Sequence, residues 1–391
     1  MADKIQAGRR RRPTPPEKAR KSAALPVSRS LVRDLRAMIE KSHQGVATAL
    51  NLGIVSLYWQ VGSRIRKDIL REKRAGYGEQ IVYALSRQLS REYGAGFSDK
   101  NLRHMVRFAE LFPDPQIVYA LSRQLGWTHF RRLIYIKDPL ARDFYAEMCR
   151  VEKWSTRALA QKIGSMLFER TAISRKPDQL ARRELEALRK QDLMSPDLVF
   201  RDPVVLQYLN LHDSYSEKDL ESAILRELQS VILELGAGFS FVARQKRITI
   251  DGRDYYLDLL FYHRKLKRLV AVDLKLDSFQ AADKGQMELY LRWLDRNERE
   301  PGERHPIGLI LCSGKSDEHI ELMQLDKSKI RVAEYLTELP NRKVLLKKLH
   351  QAIARARARV ESGEENASAE IIKPSPPGKA LKKRAGTQGW D

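Results

Sequence analysis

Tyr255-Tyr256-Leu257-Asp258-Leu259-Leu260-Phe261-Tyr262, then Leu269-Val270-Ala271-Val272-Asp273-Leu274-Lys275, is the passage that decides the fold of the C-terminal half. Both runs have the aromatic and β-branched content of strands, and each carries an aspartate among apolar neighbours. Strands this hydrophobic are buried on at least one face, and a buried charge is costly unless something compensates it. A divalent cation compensates two facing carboxylates. With a lysine beside them, phosphodiester hydrolysis is the leading expectation.

Turn chemistry sets the expected register. Asp251-Gly252 is a strong two-residue hairpin turn. It pairs Ile250 with Arg253 and puts Gln245 opposite Asp258. A second turn, centred on Lys265-Leu266, puts Asp258 opposite Asp273, where Cβ atoms stand about 4.5–5.5 Å apart and like charges repel. Lys275 lies two residues on and shares the face of Asp273. A slip of one residue would send Asp258 to the other face.

Two helices can complete the patch. Glu221 lies one residue from the stripe Leu220, Ile224, Leu228, Val231 and Leu235 of a helix expected over 217–235. Gln286 and Tyr290, four apart, share a face of a helix expected over 280–298. Each residue alone has a plainer reading. Asp258 and Asp273 could be edge-strand charges in water, Lys275 a surface partner of Asp273, Glu221 a solvated helix residue and Tyr290 core.

The whole chain has 391 residues, 72 Lys+Arg against 50 Asp+Glu and a net charge of +22. That excess points to a polyanionic partner, nucleic acid before acidic membrane. No apolar run reaches the roughly 18 residues of a membrane span, and no signal-peptide core follows the N-terminal basic cluster. The expected location is cytoplasmic, at the nucleoid. Cys149 and Cys312 stand far apart and outside any C-x-x-C spacing, which argues against a disulfide framework or a cysteine zinc site.

Four segments are expected: a disordered basic arm at 1–29, a helical, DNA-binding domain at 30–195, a mixed-sheet domain at 196–360 and a disordered basic tail at 361–391. Helices in the second are expected at 30–50, 52–72, 77–92, 98–112, 116–125, 128–136, 139–150, 154–172 and 177–191. Strands follow at 239–250, 254–262, 268–275, 306–312 and 329–335, with helices at 316–324 and 341–360. Ile-Val-Tyr-Ala-Leu-Ser-Arg-Gln-Leu occurs at 81–89 and again at 117–125, between flanks that do not match. That is a duplicated helix rather than a repeat architecture. On 98–112, Lys100, Arg103, His104 and Arg107 fall opposite Leu102, Met105, Ala109 and Phe112. Arg131 and Arg132 form a second basic candidate. Both are either nucleic-acid contacts or solvated faces.

Asp258, Asp273-Leu274-Lys275 and Gln286-Met287-Glu288-Leu289-Tyr290 together resemble the PD-(D/E)XK nuclease superfamily, the Gln-x-x-x-Tyr element being the one seen in RecB-like members. Leu235-Gly236-Ala237-Gly238-Phe239, Arg244-Gln245 and Asp258-Leu259-Leu260-Phe261-Tyr262-His263-Arg264 resemble the YhcG-type family more closely. So do Leu57-Tyr58-Trp59, Gly96-Phe97-Ser98 with Asn101-Leu102, the run Lys137 to Phe144, and Trp154-Ser155-Thr156-Arg157. The likeness spans about residues 30 to 350. It implies an α/β (α+β) chain, an all-helical N-terminal domain followed by a restriction-endonuclease-like mixed sheet. Many relatives carry Glu-x-Lys where this chain has the shorter Asp273-Leu274-Lys275.

The resemblance implies Mg2+ or Mn2+ held by Asp258, Asp273, the Leu274 carbonyl and Glu221. Lys275 would orient the attacking water or stabilise the phosphate. Gln286, Tyr290 and Gln245 are counted with the catalytic residues. Gln286 would help position the nucleophile or a metal-bound water, and Tyr290 would pack behind it or contact a phosphate. DNA is the expected partner, with RNA left open, in genome defence or in repair and recombination. A second copy of the chain or proteins of a restriction or defence system are further expected partners, and a membrane is not. The alternative is a non-catalytic DNA-binding or assembly subunit with a degenerate nuclease fold.

Overall fold

The computed structural model describes residues 28–71, 77–211, 214–236, 238–325, 329–337 and 340–361. The arms expected at 1–29 and 361–391 lie outside the described residues except for 28, 29 and 361. The chain divides into two units, at Leu50 and Asn51.

The two helices expected at 30–50 and 52–72 are one, Arg29–Arg71. Gly45 and Gly53 do not interrupt it, since a helical glycine costs only about 1 kcal/mol relative to alanine and no proline intervenes. In the first unit nearly every described side chain is exposed, including Leu31, Leu35, Met38, Ile39, Val46 and Leu50.

In the second unit the same helix crosses Asp99–Leu111 so closely that a Cβ at Gly62 would collide with the Met105 carbonyl. The duplicated nonapeptide folds alike at first and then diverges. Val82 and Val118 are buried, Tyr83 and Tyr119 exposed, and Ser86 and Ser122 each donate to the tyrosine carbonyl three residues back. The first copy lies in the helix Tyr77–Tyr93, while the second helix, Pro115–Ser122, stops inside the repeat. Ser90-Arg91-Glu92 continues the first copy; Gly126 follows the second and caps the next helix, Trp127–Leu133.

A six-stranded sheet follows. Its strands are β1 (Val204–Val205), β2 (Phe239–Ile250), β3 (Arg253–His263), β4 (Arg268–Leu274), β5 (Ile307–Cys312) and β6 (Ile330–Leu336). Their order is β1-β6-β5-β4-β3-β2. β2, β3 and β4 form an antiparallel meander, and β4, β5, β6 and β1 run parallel. β1 was not expected, because two residues carry no period.

Central strands β4 and β5 are buried nearly throughout, as parallel strands covered on both faces must be. One face packs Leu260, Ala271 and Ile310 on Met287, Tyr290 and Leu294 of the helix Ala281–Asn297. The other face shares a core with the upstream helices, joining Val55, Phe108 and Phe144 to Leu259, Val272, Leu309 and Tyr335. Residues on both sides of 195 therefore contribute to one core.

The helix expected over 217–235 breaks at Glu227 into Glu217–Arg226 and Leu228–Leu235. The expected capping box is present: Ser216 Oγ accepts from Asp219 N–H and an Asp219 oxygen from Ser216 N–H. Both cysteines are buried free thiols. Among the described residues no helix is long and apolar enough to cross a membrane.

Candidate active site

The strand register agrees with the turn chemistry. Asp251 and Gly252 both have positive φ, as a type I′ turn demands, and Ile250 pairs with Arg253. Past the second turn, Leu259 pairs with Val272, so the next step brings Asp258 level with Asp273. Asp273 itself sits beside Ile310 of β5. Asp258 reaches across to β4, where its Oδ2 accepts from the Leu274 N–H at 2.8 Å.

Gln245 is opposite Asp258 as expected, but in a left-handed conformation, φ 43°. Its Nε2 donates to Asp258 Oδ1 at 3.1 Å and to Glu221 Oε2 at 2.8 Å. Both partners are carboxylates, so the amide can point only one way. Glu221 is buried, delivered over the sheet by the helix Glu217–Arg226.

Lys275 Nζ lies 2.9 Å from Asp273 Oδ2. It is a close ion pair, and the ammonium compensates the charge on that oxygen. Glu221 Oε1 lacks a hydrogen-bond donor; Arg244 Nε approaches it only to 3.7 Å. On the helix Ala281–Asn297, Gln286 Nε2 donates to Tyr290 Oη at 2.6 Å, and Tyr290 donates to the Tyr256 carbonyl at 3.3 Å. Tyr290 is 1% exposed, so it supports Gln286 from behind and does not present a surface to substrate.

One member was missed. Asp283 Oδ1 stands 4.0 Å from Lys275 Nζ while its Oδ2 caps the helix by accepting from Gln280 N–H. Its signal was present: Gln280-x-x-Asp283 has capping spacing, and Asp283, Gln286 and Tyr290 line one helix face.

The electrostatics follow from burial. Asp258 is shifted above the ordinary carboxylate range by burial, against the pull of the Leu274 N–H and Gln245. Asp273 is pushed up to about 6, again by burial first; Lys275 opposes the shift, and Asp258 and Asp283 add to it. Burial pulls the Lys275 ammonium down, but Asp273 and Asp283 outweigh it and its pKa rises. Lys275 is therefore a fixed positive charge at neutral pH.

Among the described residues no three His, Cys, Asp or Glu side chains stand close enough together to hold a metal. The expected trio Glu221, Asp258 and Asp273 is thus not drawn into one ligand cluster: the Gln245 amide stands between Glu221 and Asp258, and Lys275 pairs with Asp273. The donor chemistry still suits a hard divalent cation. Asp258 and Asp273 are hard oxygen donors, and both are shifted towards protonation, so a cation would relieve the cost of their charge.

Two family models match the chain: the YhcG PDDEXK nuclease domain over residues 197–351 and the DUF1016 N-terminal domain over 34–170. The chain is also 32% identical over 358 residues to an Escherichia coli (strain K12) protein called "Putative nuclease YhcG", covering 83% of this chain and 93% of that one. The chain belongs to the YhcG nuclease family. Its sheet and covering helices are the PDDEXK nuclease domain of that family, with the helical region before it. Two solved structures align with 34% of the chain. One is a repair endonuclease from Pyrococcus abyssi, with 18% identity and TM-score 0.24 over 50% of that chain. The other is the EndoMS–dsDNA2 complex, with 15% identity and TM-score 0.25 over 49%. The chain spans about half the length of each.

In this YhcG-family chain the six basic candidates divide. Lys100, Arg103, Arg107, Arg131 and Arg132 are exposed. His104 is not on their face. It is 6% exposed and bonds through Nε2 to Tyr135 Oη at 2.8 Å. The expectation that His104 shares the basic face is therefore overturned: the turn carrying Tyr135 covers it. Arg103 is tied to Asp99 at 2.9 Å, and Arg107 donates to the Ile134 carbonyl at 2.8 Å.

Proposed function

We propose that the chain is a Mg2+- or Mn2+-dependent deoxyribonuclease whose site is built on Asp258, Asp273 and Lys275. The observation that carries this is the pair of carboxylates on adjacent strands, half-buried Asp258 and buried Asp273, beside a charged lysine. Asp258 and Asp273, with the Leu274 carbonyl and with Glu221 at the rim, would hold the cation. When bound, the ion supplies a water of lowered pKa and neutralises charge on the phosphate.

The chain's own groups do the rest. Lys275, charged because its pKa is raised, is unsuited to act as a base and suited to stabilise charge building on the phosphate oxygens. Gln245 and the Leu274 N–H hold the Asp258 carboxylate in place. Tyr290 engages the amide nitrogen of half-buried Gln286, so its amide oxygen would be the atom to meet a water or the substrate. The exposed basic residues of the helical region would hold the nucleic-acid backbone. DNA as substrate, defence or repair as role, the nucleoid as location and the division of labour between 30–195 and 196–360 belong to this proposal.

A second reading, a DNA-binding or assembly subunit without activity, has one observation on its side. Three carboxylates do not converge among the described residues. Cleavage of linear, circular and branched DNA with Mg2+ or Mn2+, wild type beside Asp258→Ala, separates the two. Metal-dependent cleavage lost in the variant supports the nuclease. Equal background from both proteins, with DNA binding intact, supports the inactive subunit.

A further inference from the structure

Tyr135 lies in the turn after the helix Trp127–Leu133 and is 60% exposed. Unlike an ordinary surface tyrosine it is fixed at two points. Its hydroxyl is bonded to Nε2 of buried His104 at 2.8 Å. The Arg107 guanidinium sits 5.7 Å from its ring centroid, itself anchored by the Ile134 carbonyl. Exposed Lys100 and Arg103 lie on the helix that carries His104, Arg131 and Arg132 on the helix before the turn, and Lys137 two residues past Tyr135. Lys100 and Arg131 are near enough to act on His104 electrostatically. The carboxylates nearby are engaged: Asp99 by Arg103, and Asp138 by the Leu140 N–H it caps.

We propose that Tyr135 is a stacking platform for a base of single-stranded nucleic acid, flanked by basic residues that follow the phosphates. This rests on the nucleic-acid reading of the basic surface and names the form that surface selects. An exposed aromatic among lysines and arginines is the combination used to hold single strands, because every base has a π-face and every phosphate a charge. Arg107 holds the ring by a cation–π contact, and the exposure of Tyr135 leaves ring surface for a base. The His104 and Arg107 contacts already fix the Tyr135 side chain, so little ordering remains to be done on binding. A duplex keeps its bases stacked on one another, so it can reach the basic residues but not the ring.

The test is fluorescence anisotropy with the full chain in EDTA, which prevents metal-dependent cleavage. The probes are a labelled single-stranded oligonucleotide and the same oligonucleotide annealed to its complement. Tyr135→Ala should weaken single-strand binding about 5- to 150-fold, the loss of one stacked base, and change duplex binding less than about twofold. Tyr135→Phe, which keeps the ring and loses only the His104 bond, should lie between wild type and Tyr135→Ala, nearer wild type. A thermal melt of Tyr135→Ala near that of wild type separates lost stacking from lost fold. Unchanged single-strand affinity in Tyr135→Ala, or equal losses on both probes, overturns the stacking role. If Lys100→Glu with Arg131→Glu leaves both affinities untouched, the nucleic-acid reading of this surface falls as well.

Discussion

Asp273→Asn should stabilise the metal-free chain at neutral and alkaline pH while abolishing its activity. Asp273 is 3% exposed and pushed up to about 6, from an ordinary value of 3.8, because burial outweighs the attraction of Lys275. A group raised on folding contributes stability that is fully present below its unfolded pKa and lost as pH rises through its folded one. The ionised carboxylate therefore weakens the fold at pH 8. Roughly two pKa units at about 1.4 kcal/mol each set a ceiling near 3 kcal/mol. Coupling to Asp258 brings the expectation to about 1–3 kcal/mol. Asparagine keeps the shape and removes the charge, so the variant should gain that amount at pH 8. The gap should roughly halve by about pH 5, as the wild-type group takes up its proton. Urea denaturation followed by circular dichroism in EDTA measures it. A variant less stable than wild type at pH 8 would refute the reasoning, since the Asp273–Lys275 pair would then be a net gain. Saturating Mg2+ should reverse the order, because a ligand at about 100 times its Kd stabilises by close to 3 kcal/mol. It should do so only in the protein that keeps Asp273.

Mg2+ affinity of the wild type should fall as pH drops through about 6, because a protonated Asp273 no longer offers an anionic oxygen; an affinity flat between pH 5 and pH 8, by thermal shift, would count against Asp273 as a ligand. Gly62→Ala should lower the urea midpoint despite a propensity gain of about 1 kcal/mol, because the new Cβ meets the Met105 carbonyl and overpacking costs about 1–3 kcal/mol. A raised midpoint would show that the two helices separate freely. Replacing Arg131 and Arg132 together by alanine should weaken duplex binding and reduce its dependence on salt by about one to two phosphate contacts. An unchanged slope in a salt titration would place both residues off the nucleic acid.

What could be read in the sequence was whatever local chemistry decides. The β2–β3 register came from Asp251-Gly252, whose two positive φ angles admit one turn type, and the face of Lys275 from the period of β4. The 217–235 stripe revealed a helix but not its break at Glu227, which has no glycine or proline to mark it. His104 could not be placed, because what buries it is a turn 31 residues away in the chain. The same holds for Asp283, whose capping role was local and legible while its approach to Lys275 depends on how the helix seats against β4.

Gln245 lies between those two cases. Counting from the turn placed it opposite Asp258, but the count could not supply its left-handed backbone. β2 carries an irregularity at Phe241/Ala243, and Gln245 follows within the same segment. A glutamine held there costs about 1–3 kcal/mol, and such strain persists only where surrounding contacts over-determine it. Those contacts are the two carboxylates its amide bridges. Without that bridge, Glu221 and Asp258 would face each other across the mouth of the site with nothing between them but mutual repulsion. Gln245→Gly separates the two contributions, since glycine accepts the conformation and cannot make the bonds. If strain dominates, the variant gains stability. If the bridge dominates, it loses stability in EDTA and recovers it when Mg2+ is added, because the cation then holds the carboxylates that the amide held.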